Sequence, residues 1–272
     1  MKTRIIVAVI AIPILLAIIF FAPVWALGIV VGVIASCAAY ELIRAAKPGI
    51  KKHLPVYACL GALIMPIGTA LLGPKELEFA VLFLVFAAYF CELMFSFRNG
   101  EPMDFEIVLI GILTGAVMPM LLNSLVRLGL RDHGPVYVML PIIAAFSSDS
   151  GAYFAGTFLG KHKMTPHLSP NKTLEGSAGG FLSSIILMLI YALILKALKF
   201  GVNIPVMLVY GFLGSLACQL GDLGFSAVKR IYGIKDYGNL IPGHGGMLDR
   251  FDSMFWTAAM IEALVSWVPA IV

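Results

Sequence analysis

Apolar runs separated by short polar connections fill this chain almost from end to end. A helix needs about 20 apolar residues to cross ~30 Å of hydrocarbon, and the sequence offers about nine such runs, near 4–22, 25–45, 54–73, 78–97, 105–126, 134–158, 174–199, 204–228 and 252–271. With no water to satisfy backbone groups in a bilayer, runs of this length fold as helices, so the pattern predicts an all-α polytopic membrane protein. Val24-Trp25-Ala26 after the first run resembles a signal-cleavage site. The next segment is another apolar run rather than a polar domain, so the first run reads as a span.

Composition agrees with the pattern: 60% of the 272 residues are hydrophobic and 12% charged, with a mean hydropathy of +0.97, outside the range of soluble globular chains. The formal charge of +4 is small; its placement carries more information. With nine spans, one side collects Lys2, Arg4, Arg44, Lys47, Lys51, Lys52, Arg98, Lys161, Lys163, Lys172, Lys229, Arg230, Lys235 and Arg250, against Lys75, Arg127, Arg131, Lys196 and Lys199 on the other. By the positive-inside tendency the richer side, with the N-terminus, is cytoplasmic. The four cysteines, Cys37, Cys59, Cys91 and Cys218, lie in apolar runs without CxxC spacing and read as small core residues. Residues 1–130 are mostly membrane scaffold, and 131–272 hold the helices and loops in which polar chemistry concentrates. No nucleic-acid partner is expected.

Charged residues inside the spans are the first candidates for function. Glu41 has Arg44 three positions on, and an i,i+3 pair accounts for it; Glu92, followed by Arg98, is near enough to a span end to reach the interface. Asp149, Tyr153, Gly156 and Gly160 fall on one helical face, with glycines that let a neighbour approach. Asp149 then points into the bundle, either satisfied there by a lysine or by hydroxyls, or free to hold a cation. In the next loop, Ser169-Pro170 has the form of an N-cap with proline at the first helical position, which predicts that a helix begins there. Lys172 would sit in its first turn, where a cation is misplaced unless an anion binds beside it. Gly176, Gly179 and Gly180 predict close packing.

The densest polar stretch runs from Ser226 to Asp252, SAVKRIYGIKDYGNLIPGHGGMLDRFD, between two apolar runs. Asp222, Ser226, Lys229 and Arg230 share a helical face, with the carboxylate ~10 Å below the cations at the helical rise. The glycine-rich loop Gly233–Gly246 can wrap tightly and aim backbone N–H groups at phosphate. Asp249 and Asp252 open the last helix, where one of them could simply cap it. Asp222 and Asp249 supply the one or two carboxylates that Mg²⁺ takes alongside phosphates and water. Asp149 and Asp252 are further metal candidates. Lysines and arginines supply counter-charge for a polyphosphate and its leaving pyrophosphate. His244 is alone in the loop and reads as a phosphate contact rather than a metal ligand.

The run S-x-V-K-R-x4-K-D-x-G-x2-I-P-x-H-G-G-M-x-D-R-F-D resembles the signature of the phosphatidate cytidylyltransferase, or CDP-diacylglycerol synthase, family. D-S-G-A-Y-F-x-G and S-P-N-K-T-x-E-G upstream are similar to it as well, so the resemblance covers roughly Asp149 to Asp252. It implies that CTP and phosphatidic acid give CDP-diacylglycerol and pyrophosphate with Mg²⁺, and that K⁺ can serve as a second ion. Carried over by position, Asp222 and Asp249 would be metal-binding and catalytic, with Lys229 and Arg230 beside them. Ser169, Lys172, Ser226, Lys235, His244 and Arg250 would hold nucleotide and lipid phosphates. It further implies membrane lipids as the setting, a bacterial inner membrane with a cytoplasmic site, and is compatible with a homodimer. A CDP-alcohol phosphotransferase fits less well, because Asp222 is followed by Leu223 and the later pair is spaced D-x2-D. A transporter would also use intramembrane acids, but no inverted repeat appears between the halves.

Overall fold

Small residues decide how these helices meet, because without a hydrophobic drive between helices in lipid the closest backbone approach wins. The computed structural model describes residues 2–73, 75–98, 100, 102–240 and 245–271. Its helices are α1 (Lys2–Phe21), α2 (Val24–Ala46), α3 (His53–Leu72), α4 (Lys75–Arg98), α5 (Phe105–Gly129), α6 (Gly134–Leu159), α7 (Leu174–Ala197), α8 (Ile204–Ile231) and α9 (Leu248–Trp267). Seven, α2 to α8, are long and apolar enough to cross a membrane, and α1 contributes a shorter apolar helix, Ile12–Phe21. α9 has 20 residues but carries Asp249, Arg250, Asp252 and Glu262. The chain is thus an all-α polytopic membrane protein; among the described residues it has nine helices, seven of them with a span's length and apolarity, and one small hairpin.

The chain divides into two compact units: Met1–Pro135 with Tyr232–Phe251, and Val136–Ile231 with Asp252–Val272. In the first, α2 lies against α3 because Gly28 and Gly32 carry no side chain there. A Cβ on Gly28 would sit 2.9 Å from the Pro66 carbonyl oxygen, and one on Gly32 2.8 Å from that of Leu63. Ala35, Ala38, Ala39, Ala58 and Ala62 complete a small-residue core. α5 includes a π-helical turn, Leu113–Val117, whose Gly115 approaches the Ala58 backbone. α4 turns Phe79, Phe83 and Leu84 outward, 60–71% exposed, which is a lipid-facing surface.

Polar side chains fasten this unit at two levels. Near the start of α3 and the end of α4, Tyr57 Oη donates to Glu92 Oε1 (2.9 Å) and His53 Nε2 lies 3.3 Å from Oε2. Lys47 pairs with Asp104 and Glu106 at 3.0 and 3.1 Å, hydrogen bonds that hold its ammonium pKa above the ordinary lysine value. Tyr232 Oη also donates to Glu106 (3.2 Å). At the other ends of α3 and α4, Glu78 accepts from both Arg127 and Asn123, and Asn123 also donates to Thr69 (2.8 Å). Glu92 is therefore held by Tyr57 and His53 rather than merely reaching an interface.

In the second unit the expected glycine packing is present. Cβ atoms on Gly176, Gly179 and Gly180 would meet the carbonyl oxygens of Ala152, Gly151 and Ser148 at 2.9–3.0 Å, so α7 rests directly on the α6 backbone. Buried hydroxyls add rungs: Ser148 to Ser215 (2.8 Å), Ser184 to the Gly211 carbonyl (2.8 Å) and Tyr210 to the Val268 carbonyl (2.6 Å). Gly156 lies on the α6 face turned to Gly176 and Thr173, while Tyr153 on that helix is 69% exposed.

The predicted helix start at Ser169-Pro170 is overturned. Lys163–Thr165 (β1) and Ser169–Thr173 (β2) form an antiparallel hairpin, Lys163 facing Thr173 and Thr165 facing Ser169. The cap is Thr173, extended at φ −121°, whose Oγ1 accepts from Gly176 N (3.1 Å). Glu175 in the first turn accepts from the backbone N–H groups of Lys161 and His162, closing the hairpin base. Lys172 is consequently a strand residue, and the misplaced-cation reasoning does not apply to it.

Candidate functional site

Three aspartates from three helices of the second unit, with two lysines, form its polar centre. On α8, Asp222 Oδ1 accepts from Ser226 Oγ one turn on (3.3 Å), and Oδ2 meets Lys172 Nζ at 2.5 Å. That lysine is delivered by β2. The hairpin turn is fixed to the same helix by Arg230, whose Nε donates to the Leu168 carbonyl (3.2 Å). Ser226 is buried and Arg230 exposed, so the shared face predicted for Asp222, Ser226, Lys229 and Arg230 runs from the interior to the surface.

Asp149 on α6 retains an accessible surface. Cys218 Sγ donates to its Oδ1 (3.3 Å) and Ser253 Oγ to its Oδ2 (3.5 Å). The local partners of Asp149 are thus a thiol and a hydroxyl rather than a lysine. Asp252 on α9 is buried, and its Oδ1 takes the backbone N–H of Ser253 (2.7 Å). It interacts electrostatically with Asp222 and Asp149, and with Lys229 as counter-charge; Lys172 also acts on Asp149. The three carboxylates thus lie within electrostatic reach of one another and of two lysines.

Among the described residues no three His, Cys, Asp or Glu side chains close up into a ready metal cage. Mg²⁺ does not require one, since it keeps waters and substrate oxygens. The hard oxygen donors of the aspartates fit such an ion; the Cys218 thiol donates to Asp149. Asp222 offers one such oxygen pair, with Oδ2 paired to the Lys172 ammonium.

In the first unit, two carboxylates organise the glycine-rich segment. Asp249 Oδ2 accepts from Tyr237 N (2.8 Å) and Gly246 N (3.0 Å), drawing two ends of the loop together. Glu41, on α2, accepts from Met247 N through Oε1 (2.9 Å) and from Leu248 N through Oε2 (2.8 Å). Pairing with Arg44 does not account for Glu41: Arg44 donates instead to Tyr40 Oη (2.9 Å). Lys235 and Arg250 are exposed and Ser169 half-buried, at the start of β2. His244 lies outside the described residues.

The structure thus joins Asp222, Ser226 and Lys172 by direct contact, with Lys229, Asp149 and Asp252 coupled to them, and gives Asp249 loop-holding contacts in the other unit. Sequence reasoning missed three groups. Cys218 and Ser253 are ordinary small residues whose partner is far along the chain. Glu175 was legible, since Thr173-Leu174-Glu175 is itself a helix-start pattern. Glu41 gave only the signal of a carboxylate within an apolar run, with its partners 206 and 207 positions away.

The model of the cytidylyltransferase family matches residues 2–268. Among curated proteins, the chain is 42% identical over 141 residues to a phosphatidate cytidylyltransferase of Bacillus subtilis, covering 50% of each. It is 40% identical over 135 residues to one of Staphylococcus haemolyticus and 41% over 135 residues to one of Staphylococcus aureus, covering 50% of the chain and 51% of each relative. The aligned part of the chain thus spans about half the length of the curated relatives it matches.

Proposed function

The chain belongs to the cytidylyltransferase family, and from that premise we propose that it makes CDP-diacylglycerol and pyrophosphate from CTP and phosphatidic acid. A phosphate oxygen of phosphatidate attacks the α-phosphorus of CTP; the new P–O bond forms as the bond to the β-phosphate bridging oxygen breaks, and pyrophosphate leaves. That nucleophile is already ionised near neutral pH, so the protein needs no strong base. Its work is to bring two polyanions into line and to neutralise them.

The observation that carries this reading is the Asp222 centre, where one carboxylate is held between Ser226 and a lysine delivered by the hairpin. Lys172, Lys229 and Arg230 offer cations for the phosphates, and Ser169 adds a hydroxyl at the hairpin. Lys235, His244 and Arg250 are proposed as further phosphate contacts. Asp222 and Asp249 are the proposed ligands of Mg²⁺, with Asp149 and Asp252 supporting the charge. When bound, Mg²⁺ supplies neutralisation of the triphosphate and of its leaving group. The proposal extends to K⁺ as a second ion, to a homodimer, and to a bacterial inner membrane with the N-terminus and site cytoplasmic.

Purified protein given labelled CTP and phosphatidate in mixed micelles is expected to form a labelled lipid and pyrophosphate only with Mg²⁺ present. Labelled lipid formed equally well in excess chelator, or none under any condition, would sink the reading. In the same assay, Lys172→Ala should raise the apparent KM for CTP or phosphatidate by about tenfold, the usual scale for a charge-assisted contact to phosphate. Unchanged KM values for both would remove Lys172 from the site.

A further inference from the structure

Glu41 sits on the second helix of a stretch that resembles plain membrane scaffold, yet it is 7% exposed and spends both carboxylate oxygens on the start of α9. The backbone closes on it from two sides. A Cβ on Gly246 would lie 2.5 Å from Oε2, and one on Gly238 2.7 Å from Oε1, so only glycine lets both loop strands approach. The first N–H groups of a helix have no partner within the helix, and a carboxylate there also matches the positive end of the helix dipole. Asp249 meanwhile gathers Tyr237 N and Gly246 N. Two acids, one from α2 and one from α9, therefore hold the backbone at Tyr237 and at Gly246–Leu248.

Among the described residues, apolar packing anchors the segment at Tyr237, 7% exposed, and at the fully buried Leu248, but not between them. A cavity of 640 Å³ opens beside the clamp, lined by Tyr40, Glu41 and Arg44 of α2 together with Tyr237, Asn239 and Leu240 of the loop, and Leu240 is 57% exposed. The polar contacts at Glu41 and Asp249 act on the backbone beside these anchors, at Tyr237, Gly246, Met247 and Leu248. We propose that Glu41 is a positioning residue for the cytidylyl-transfer site: by holding Met247 and Leu248 it fixes the register of the loop and thereby the aim of Asp249 and Arg250. This deepens the function proposed above and rests on it. Supporting contacts of this kind are commonly worth about 10–100-fold in metal affinity or activity.

The experiment compares wild type with Glu41→Gln and Glu41→Asp in nanodiscs, reading three quantities: amide exchange over 245–249, the Mg²⁺ concentration for half-maximal turnover with the KM for CTP, and the thermal midpoint. Glutamine keeps one acceptor but turns an NH₂ toward the other backbone donor, so exchange at Met247 and Leu248 should accelerate at least tenfold. The Mg²⁺ requirement and CTP KM should rise about tenfold with it. Aspartate, too short to reach both donors, should fall between. Should Glu41→Gln fail to fold, Gly246→Ala serves instead, since its Cβ displaces the Glu41 carboxylate and should produce the same shifts. Exchange, Mg²⁺ requirement and CTP KM all within twofold of wild type, or a fall in kcat alone, would overturn the proposal. A wild type that makes no labelled lipid would sink the proposed function instead, while the exchange data would still judge the clamp.

Discussion

Replacing Asp222 by Asn is expected to lower CDP-diacylglycerol formation by about 10²–10³-fold, the scale seen when one preorganised electrostatic group is removed from an acyl- or phosphoryl-transfer site. The side chain keeps its size, and Oδ1 can still accept from Ser226 Oγ. What changes is the atom opposite Lys172: an amide NH₂ in place of Oδ2 turns a 2.5 Å ion pair into donor facing donor, and removes one of the carboxylates proposed for Mg²⁺. Because Asp222 is only half-buried and its helix is held elsewhere by Gly211, Ser215 and Tyr210, the thermal midpoint should stay near wild type. Turnover within about threefold of wild type in a folded variant would place the reacting centre elsewhere.

The largest effect on stability is expected at the other polar cluster of the first unit. Glu78 and Arg127 have side chains 11% and 17% exposed, and Glu78 also receives Asn123. Removing one partner of a buried pair strands the other charge, at a cost of about 3–5 kcal/mol. Arg127→Met should therefore depress the unfolding midpoint sharply, and Glu78→Leu should do the same by stranding the guanidinium. The double variant leaves no charge behind and should be more stable than either single one, since apolar groups of similar volume replace buried pairs at little cost. Additive losses in the double variant would mean that the two residues contribute separately, through packing rather than through each other.

The spans were legible because their signal is redundant: twenty apolar residues cannot be hidden by one or two errors, and even the π-helical turn in α5 leaves the run continuous. The Asp222, Ser226, Lys229 and Arg230 face was legible for a related reason, since helical periodicity fixes neighbours within one element. Two kinds of feature were not. Ser169-Pro170 can open a helix or occupy an edge strand, because a proline without an N–H suits both, and the pairing partner Lys163–Thr165 that decides between them is only three residues long. Long-range capping was the other. Glu41 beside Arg44 satisfies a local rule, and nothing near it in sequence announces that its oxygens belong to Met247 and Leu248. Asp249 reads from sequence as a metal ligand or a simple cap, and nothing near it announces that its Oδ2 also gathers the backbone of Tyr237 and Gly246.

The segment 232–251 leaves the second unit after Ile231 and returns to it at Asp252, spending the interval with the helices made first. During synthesis the acceptor at position 41 is consequently in place long before the donors at 247 and 248 emerge from the ribosome. Severing the chain between Pro135 and Val136 would undo that order. The downstream fragment would keep the Asp222 centre but carry its glycine loop without the glutamate that holds it, and ordering of the loop would become a bimolecular event, rising with the concentration of the upstream fragment supplied in the same membrane.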